Sequence, residues 1–197
     1  MNQRMTARRL LMSALAMSCA LVVFAQPPQP KPATMEQPPL KEFPGKRTDA
    51  LVAEWTRAKN WTKEYLDKMP EDGYGFKATP EVRSFGEQMM HLASANFTYG
   101  SMATGQKAPY TRQDLAPEKF KTKADVSKIV LESYDFVINS VKGLDVVKLD
   151  ERMSLRGMSI PRANVLTMGF EHQTHHRGQT TIYLRLKGVK PPNEKLF

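Results

Sequence analysis

Apolar residues recur every three or four positions in four stretches of the chain, and this interval places them on one face of an α-helix. The clearest stretch begins at Thr122 and ends near Gly143. Its inward-facing positions are Val126, Ile129, Val130, Ser133, Phe136, Val137, Val141 and Leu144. We find neither the convincing alternation of a β-strand nor an internal repeat. The pattern therefore predicts an all-α protein, a four-helix bundle.

The first two helices have recognisable ends. The first is expected to begin near Thr48, a capping residue, and to stop at Pro70. The second is expected to begin at Thr79-Pro80-Glu81, because threonine caps helices, proline suits the first helical position and glutamate complements the positive end of the helix. Its expected inward face is Val82, Phe85, Met89, Leu92 and Asn96, and Gly105 closes it.

The third and fourth helices are separated by a long connection. Thr122 and Asp125 resemble a capping box at the start of the third helix. Residues 145–159 are expected to form the connection, partly extended around residues 153–158. Pro161 then opens the last helix, which ends before Gly188.

The last helix carries histidines where apolar residues are expected. Its three-four spacing runs through Val165, Met168, His172, His175 or His176, Gln179, Ile182 or Tyr183, and Leu186. Polar groups in a core stripe cost free energy unless they are paired. Such local exceptions to the pattern commonly mark functional positions.

Three of the four histidines of the chain therefore stand out as candidate metal ligands. His172 and His176 are four residues apart, a spacing that puts both imidazoles on one helical face. His91 lies on the predicted second helix and would join them if the two helices pack together. Two alternatives remain at this point. The pair could belong by chance to an ordinary core or solvated face, and His175 could be the ligand in place of His176, because the spacing alone does not exclude it.

Cysteine content and charge narrow the chemistry. The only cysteine is Cys19, within a segment expected to be removed, which excludes cysteine catalysis and cysteine metal ligation in the mature protein. The formal net charge is +9, but lysine and arginine are scattered and form no run of five. This distribution indicates a solvated surface, with an anionic substrate as the alternative, and it argues against nucleic-acid binding.

The N-terminus has the three-part pattern of a secretory signal peptide. Residues 1–9 are polar and basic, residues 10–24 are nearly all apolar or small, and cleavage is expected after Ala25. We therefore expect residues 1–25 to be removed, with export to a bacterial periplasm or beyond and no membrane span afterwards. The apolar run is shorter than the ~20 residues of a typical membrane span. A lipoprotein signal at Cys19 and an uncleaved anchor are the rivals.

Residues 26–47 are expected to form a proline-rich linker, since residues 26–45 hold seven of the fourteen prolines. The folded domain is then residues 48–192, followed by a short tail, residues 193–197.

Two segments resemble the DinB-like (DinB/YfiT) family. They are Phe76-Lys77-Ala78-Thr79-Pro80-Glu81-Val82-Arg83-Ser84-Phe85-Gly86-Glu87 followed by His91, and His172-Gln173-Thr174-His175-His176-Arg177-Gly178-Gln179. The resemblance extends to Tyr183-Leu184-Arg185 and to Gly188-Val189-Lys190-Pro191-Pro192, so it covers roughly residues 48–192. It implies an up-down-down-up bundle, a homodimer and a divalent metal ion on His91, His172 and His176, with His175 as the spare. Most relatives are cytoplasmic, and the predicted signal peptide and linker depart from that pattern.

A site of three imidazoles favours Zn²⁺ or Ni²⁺ and also suits Fe²⁺, Mn²⁺ or Cu²⁺. Three protein ligands leave a coordination position open for water or substrate, as catalytic sites do. Members resembling this family include thiol-dependent transferases and isomerases, so a small thiol cosubstrate is expected. The first hypothesis is a metal-dependent enzyme that activates a thiol or water for transfer or hydrolysis of a small molecule. The alternative is a non-catalytic, exported, stress-related bundle whose ion stabilises the fold.

Several polar residues are candidates for the surroundings of this site. Gln88, Gln179 and Tyr183 are candidate pocket residues, with packing inside the bundle as the alternative for Gln179 and Tyr183. Glu87 would either orient His91 or remain solvated. For Arg177, a surface position or an ion pair between helices is preferred to substrate binding.

Overall fold

The computed structural model describes residues 46–116 and 119–196. The predicted signal peptide, with Cys19, and all but the last two residues of the predicted linker lie outside these residues. Four helices form the body of the domain. They are α1 (Arg47–Lys68), α2 (Phe85–Thr104), α3 (Lys123–Lys142) and α4 (Arg162–Leu186). None of the helices in the described part of the chain is long and apolar enough to cross a membrane.

Side-chain contacts fix the directions of α1 and α3, which are antiparallel. Lys123, at the start of α3, donates a hydrogen bond to the carbonyl of Met69 just after the end of α1. Further along, the hydroxyl of Tyr134 lies 2.7 Å from that of Thr62 in the middle of α1.

The other two helices complete an up-down-down-up bundle. Where contacts advance along both helices together, the helices are parallel, and this holds for α1 with α4 and for α2 with α3. For α2 and α4 the contacts advance along one helix as they go back along the other, so these two helices are antiparallel. The contacts are Trp55–Phe170 and Tyr65–Thr181 for α1 and α4, Phe97–Phe136 and Asn96–Ser133 for α2 and α3, and Gln88–His176 and Met102–Arg162 for α2 and α4. The predicted four-helix bundle and its topology are confirmed.

Glycines allow α2 to approach its neighbours closely. A Cβ atom on Gly169 of α4 would lie 2.9 Å from the Cβ of Tyr99 on α2. A Cβ atom on Gly100 of α2 would lie 2.9 Å from Cγ2 of Val137 on α3. Real side chains do not tolerate such distances, so both positions need a residue without a side chain. The α2–α4 approach at Gly169 is next to the candidate metal ligands.

The predicted start of α2 at Thr79 is wrong. Thr79 instead opens a turn, in which its carbonyl accepts from the backbone N–H of Val82 at 3.3 Å. The helix begins at Phe85 because Ser84 and Glu87 form a capping box: Ser84 Oγ accepts from the Glu87 N–H and a Glu87 oxygen accepts from the Ser84 N–H. Val82, predicted to face inward, is exposed, whereas the rest of the predicted face is buried.

The connection between α3 and α4 contains a β-hairpin that the sequence pattern indicated only as partly extended. Strands β1 (Arg152–Leu155) and β2 (Met158–Pro161) pair antiparallel, with Leu155 opposite Met158. The two residues of the turn, Arg156 and Gly157, have φ angles of 50° and 79°. This hairpin packs over one end of the cavity described below.

The predicted inward stripe of α4 is displaced by about one position. The buried residues of the helix are Val165, Leu166, Gly169, Gln173, His176, Arg177, Thr180, Tyr183 and Leu184. Met168 and Leu186, which the pattern placed inward, are exposed, and of the alternatives Ile182 and Tyr183 it is Tyr183 that is buried. The helix therefore buries more polar and small residues than the apolar pattern predicted, and the candidate ligands lie at the edge of its buried face.

Candidate metal centre

Helices α2 and α4 bring His91, His172 and His176 together. The Nε2 atoms of His172 and His176 are 3.1 Å apart. The ring centroid of His91 lies 5.1 Å from that of His172 and 4.5 Å from that of His176. One nitrogen of each ring can be chosen so that all three lie within 4.8 Å of one another. The three side chains therefore form a compact group of nitrogen ligands.

The donor set fits a divalent transition metal. Bonds of about 2.0–2.1 Å at angles between tetrahedral and octahedral values separate two ligand nitrogens by about 2.9–3.4 Å, a range that includes the His172–His176 distance. Nδ1 of His172 is buried and has no hydrogen-bond partner among the described residues. Its Nε2 lies against Nε2 of His176, and these two atoms can either share one proton in a hydrogen bond or direct both lone pairs at a common metal ion.

Burial keeps these imidazoles in the neutral form that binds metals. It lowers the pKa of His91 to about 4, with the positive charges of Arg83, His172 and Arg112 as further causes. Burial likewise lowers the pKa of His176 to about 4 and lowers the pKa of His172. Near neutral pH all three rings are therefore uncharged and each offers a lone pair.

The predicted pocket residues Gln88, Gln179 and Tyr183 line one surface pocket together, which none of the three candidate ligands lines. Gln88 and Gln179 also lie behind His176. Nδ1 of His176 is 2.6 Å from Nε2 of Gln88 and 3.2 Å from Oε1 of Gln179, and the two glutamines are hydrogen-bonded to each other. A metal ion on Nε2 would leave the ring proton on Nδ1, which then donates. Gln179 Oε1 is placed to accept it. If the amides of both glutamines are turned over, Gln88 Oε1 accepts it instead and the hydrogen bond between the glutamines is kept.

The spare histidine, His175, lies outside the ligand group, although its ring centroid is 4.9 Å from that of His176. It is exposed, and its Nε2 is 2.9 Å from Nε2 of Gln179. It therefore touches the surroundings of His176 without approaching the other two rings as a ligand.

Tyr183 is packed and hydrogen-bonded inside the bundle, as its alternative expected, whereas Glu87 neither orients His91 nor stays fully solvated, because it caps α2. The Tyr183 hydroxyl donates to the carbonyl of Arg83 at 2.6 Å, and its ring packs edge-on against Phe85. Glu87 is occupied by the cap of α2 and lies 3.6 Å from Nζ of Lys77. It makes no hydrogen bond to His91.

Within the described part of the chain, Arg177 is neither at the surface nor in an ion pair between helices, the two positions expected for it. It is buried, at 4% exposure, and makes no ion pair with any residue of ranges 46–116 and 119–196. Its Nη1 donates to Oε1 of Gln173 at 2.8 Å, and its guanidinium carbon lies 4.2 Å from the ring centroid of Trp61. Burial lowers the pKa of this guanidinium, although it remains far above neutrality.

A cavity of about 250 Å³ opens beside His91 and His172. Its walls come from α2, α4, the loop after α2 and the hairpin tip. Besides the two histidines, the lining residues are Ser94, Ala95, Thr98, Tyr99, Met102, Arg112, Leu155, Arg156 and Met168. Sequence reasoning missed this cavity because its walls include a loop and a turn that carry no helical pattern.

The fold and this histidine group define a helical-bundle protein with a candidate three-histidine metal centre. The sequence profile of the DinB family matches residues 44–196. The chain therefore belongs to the DinB family, as the resemblance implied.

Two curated relatives come from Bacillus subtilis (strain 168), and both are described as uncharacterized proteins. YrdA is 39% identical over 153 residues, which span 73% of this chain and 85% of YrdA. YjoA is 20% identical over 146 residues, which span 72% of this chain and 92% of YjoA.

Solved structures of DinB-like proteins share the fold. The crystal structure of YjoA from B. subtilis superposes with a TM-score of 0.60 at 20% identity, covering 73% of this chain and 96% of YjoA. That of a DinB-like protein from Bacillus cereus ATCC 10987 superposes with a TM-score of 0.65 at 19% identity, covering 75% and 97%.

Proposed function

We propose that His91, His172 and His176 hold one divalent transition-metal ion and that the protein is a metal-dependent transferase or hydrolase acting on a small molecule. The observation that carries the proposal is the cavity, which opens onto two of the three histidines. A site meant only to stabilise the fold would be closed by a fourth ligand. Here three ligands and an adjoining cavity leave room for a bound reactant.

Different residues around this site have different proposed roles. The three neutral imidazoles supply the nitrogen ligands, and Gln179, with Gln88, holds the ring of His176 through Nδ1. Tyr99 and Met168 contribute apolar surface to the lining of the cavity, against which a bound molecule can pack. A metal ion in such a site lowers the pKa of a bound water or thiol and so supplies a nucleophile near neutral pH. Zn²⁺ or Ni²⁺ are the first candidates for the ion, followed by Fe²⁺, Mn²⁺ and Cu²⁺.

Metal analysis of the protein, purified without a histidine tag, tests the ligand set. We expect about one transition-metal ion per chain, lost in His91→Ala, His172→Ala and His176→Ala. His175→Ala is the matched control, because it removes an exposed imidazole from the same helix, and it should keep the metal. No metal after reconstitution, or equal loss in the control, would contradict the proposed site.

The absorption spectrum of the Co²⁺-substituted protein distinguishes a metal site that is open to a reactant from one that only stabilises the fold. A small thiol that enters the open coordination position should produce a sulfur-to-cobalt charge-transfer band, and this band should disappear when the thiol is washed out. If neither thiols nor anions change the cobalt spectrum, the ion is sealed and its role is to stabilise the fold.

We further propose that the protein is exported after cleavage behind Ala25 and that it forms a homodimer. The N-terminal pattern of residues 1–25 supports export, and membership of the DinB family supports the homodimer. N-terminal sequencing of the protein from a periplasmic extract should begin at Gln26, and light scattering of the purified protein should give twice the mass of the mature chain. An uncleaved chain or a monomer would overturn the respective proposal.

A further inference from the structure

The rim of the cavity beside the histidine group carries two arginines. Arg112 comes from the loop after α2 and Arg156 from the tip of the hairpin, and both line the same cavity as His91 and His172. The lining residues include no aspartate and no glutamate. Two positive charges therefore share a concave space with uncharged imidazoles.

Neither arginine has a counter-charge that would explain its position. Within residues 46–116 and 119–196, Arg112 and Arg156 take part in none of the ion pairs. A neighbouring surface depression is lined by Arg112 together with one carboxylate, that of Glu87. That carboxylate already caps α2 and lies beside Lys77. The two guanidinium groups are thus available to an anion.

The backbone of Arg156 is a second, independent observation. Its φ of 50° makes it the one residue other than glycine with a positive φ in the described part of the chain. Two-residue turns in which both φ angles are positive favour asparagine, aspartate or glycine at the first position. An arginine there is unfavourable for the backbone, so the turn itself does not account for this side chain. A residue kept in a disfavoured conformation beside a cavity is a candidate for ligand contact.

The rest of the cavity indicates what else the ligand contains. Its walls include Tyr99, Met102, Leu155 and Met168, which offer aromatic and aliphatic surface between the arginines and the histidines. The volume of about 250 Å³ falls just below that of typical drug-binding pockets, about 300–1,000 Å³. A small molecule with an apolar body and one anionic end matches these walls.

We propose that this cavity binds a small organic anion, with its carboxylate or phosphate group on Arg112 and Arg156 and its apolar body against Tyr99 and Met168. This inference rests on the proposed function, since it names the substrate class of the same site. The reacting end of the molecule would then lie toward His91 and His172. Guanidinium groups pair with carboxylates and phosphates through two parallel hydrogen bonds, which fixes orientation as well as charge.

Calorimetric titration of the metal-free protein with three probes of similar shape tests the proposal. Phenylacetate carries a carboxylate, phenylacetamide is its uncharged counterpart, and phenyl phosphate carries the alternative anion. With the metal removed, the arginines are the expected source of any preference for charge. We expect phenylacetate or phenyl phosphate to bind at least about tenfold more tightly than phenylacetamide, and the tighter of the two identifies the anion.

The variants Arg112→Gln and Arg156→Asn should each lose about tenfold or more of that affinity. Arg156→Asn is informative because Asn-Gly suits this turn, so its thermal midpoint should stay equal or rise while binding falls. Arg185→Gln, an exposed arginine on α4 outside the cavity, removes the same charge and should bind the anion like the parent protein.

The outcomes separate this inference from the metal site. Equal affinity for phenylacetate, phenyl phosphate and phenylacetamide, or unchanged anion binding in both cavity variants, would overturn the anion site even if the metal is bound. Anion binding that depends on Arg112 and Arg156 in a protein that never takes up metal would support the anion site and overturn the proposed function.

Discussion

Arg177 donates a hydrogen bond to Oε1 of Gln173, one turn earlier on α4, at 2.8 Å. The same oxygen accepts a hydrogen bond from the hydroxyl of Tyr134 on α3, also at 2.8 Å. On the other side, the guanidinium lies over the ring of Trp61 on α1. This polar group in the core joins three helices and fixes the rotation of α4. Because His172 and His176 lie on the same helix, it also helps to set the direction in which they point.

The first prediction concerns the removal of this guanidinium. Arg177→Ala should lower the free energy of unfolding by about 2–4 kcal/mol, because it removes the packing on Trp61 and one hydrogen bond inside the core. Arg177→Met keeps most of the stem and should lose less, since an apolar replacement of similar size avoids burying a charge. Urea denaturation of the metal-free variants measures both values.

Metal stoichiometry provides the control for these variants. Arg177→Ala and Arg177→Met leave every candidate ligand in place, so both should still bind one ion per chain. A stable Arg177→Ala variant that has lost its metal would show that Arg177 acts at the site and not in the core.

The second prediction uses two glycines of α4. A methyl group on Gly169 would lie 2.9 Å from the Cβ of Tyr99, whereas one on Gly178 would meet nothing within 4 Å. Gly169→Ala should therefore be destabilising, because overpacking costs about 1–3 kcal/mol and exceeds the ~1 kcal/mol gained in helix propensity. It should also weaken metal binding, since the ring of Tyr99 adjoins that of His172.

Gly178→Ala is the matched substitution on the same helix. With open space around it, it should raise the free energy of unfolding by about 0.5–1 kcal/mol and leave the metal affinity unchanged. Urea denaturation of Gly169→Ala and Gly178→Ala measures the two changes in stability, and competition titrations with a chelator measure their metal affinities. Equal effects of the two substitutions would mean that α2 and α4 are not held at the close distance described here.

The third prediction tests the glutamines behind His176. Gln179→Ala removes the oxygen that is placed to accept the Nδ1 proton of this ring. Loss of such a hydrogen bond typically weakens metal binding by about 10–100-fold. Gln88→Ala should act in the same direction. His175→Ala removes a contact on the amide nitrogen of Gln179 and an edge-on contact with the ring of His176. It leaves both glutamine oxygens in place and serves as the control. A competition titration with a chelator that shows parental affinity in both glutamine variants would exclude this role.

The parts of the fold that could be predicted are those determined by a few adjacent residues. The cap of α3 at Thr122 and the end of α2 at Gly105 are properties of a few adjacent residues, and both were predicted. The start of α2 was misplaced because Thr79-Pro80-Glu81 has good local chemistry for a helix. Its true start also depends on backbone hydrogen bonds from Phe85 and Gly86 back to Phe76 and Tyr74, which the sequence pattern does not reveal.

For the candidate site, too, the local features could be predicted from the sequence and the features that depend on packing could not. The His172–His176 spacing is local, whereas His91 joins it only because α2 packs against α4, and the resemblance was needed to choose His176 over His175. The buried face of α4 was displaced because Gly169, Gln173 and Thr180 point inward, although an apolar pattern counts them as outward. The arginines of the cavity lie on a loop and on a turn 44 residues apart, and only the folded chain brings them to one cavity.

The last prediction concerns the stability of the metal-free protein in mild acid. Burial lowers the pKa of His91 and of His176 to about 4, whereas in the unfolded chain both rings titrate near 6.5. Between these values the unfolded chain binds more protons than the folded protein. The free energy of unfolding should therefore be fully developed above pH 6.5 and should fall as the pH is lowered toward 4.

Urea denaturation in the presence of a chelator, at pH 7, 6 and 5, measures this slope. Replacing His91 by glutamine, which has no titrating group, should make the slope shallower, and His175→Gln should not, because that ring is exposed and outside the group. His176→Gln should resemble His91→Gln. If the parent protein is equally stable at pH 7 and pH 5, or if His175→Gln alone flattens the curve, the buried imidazoles are not the groups that lose protons on folding.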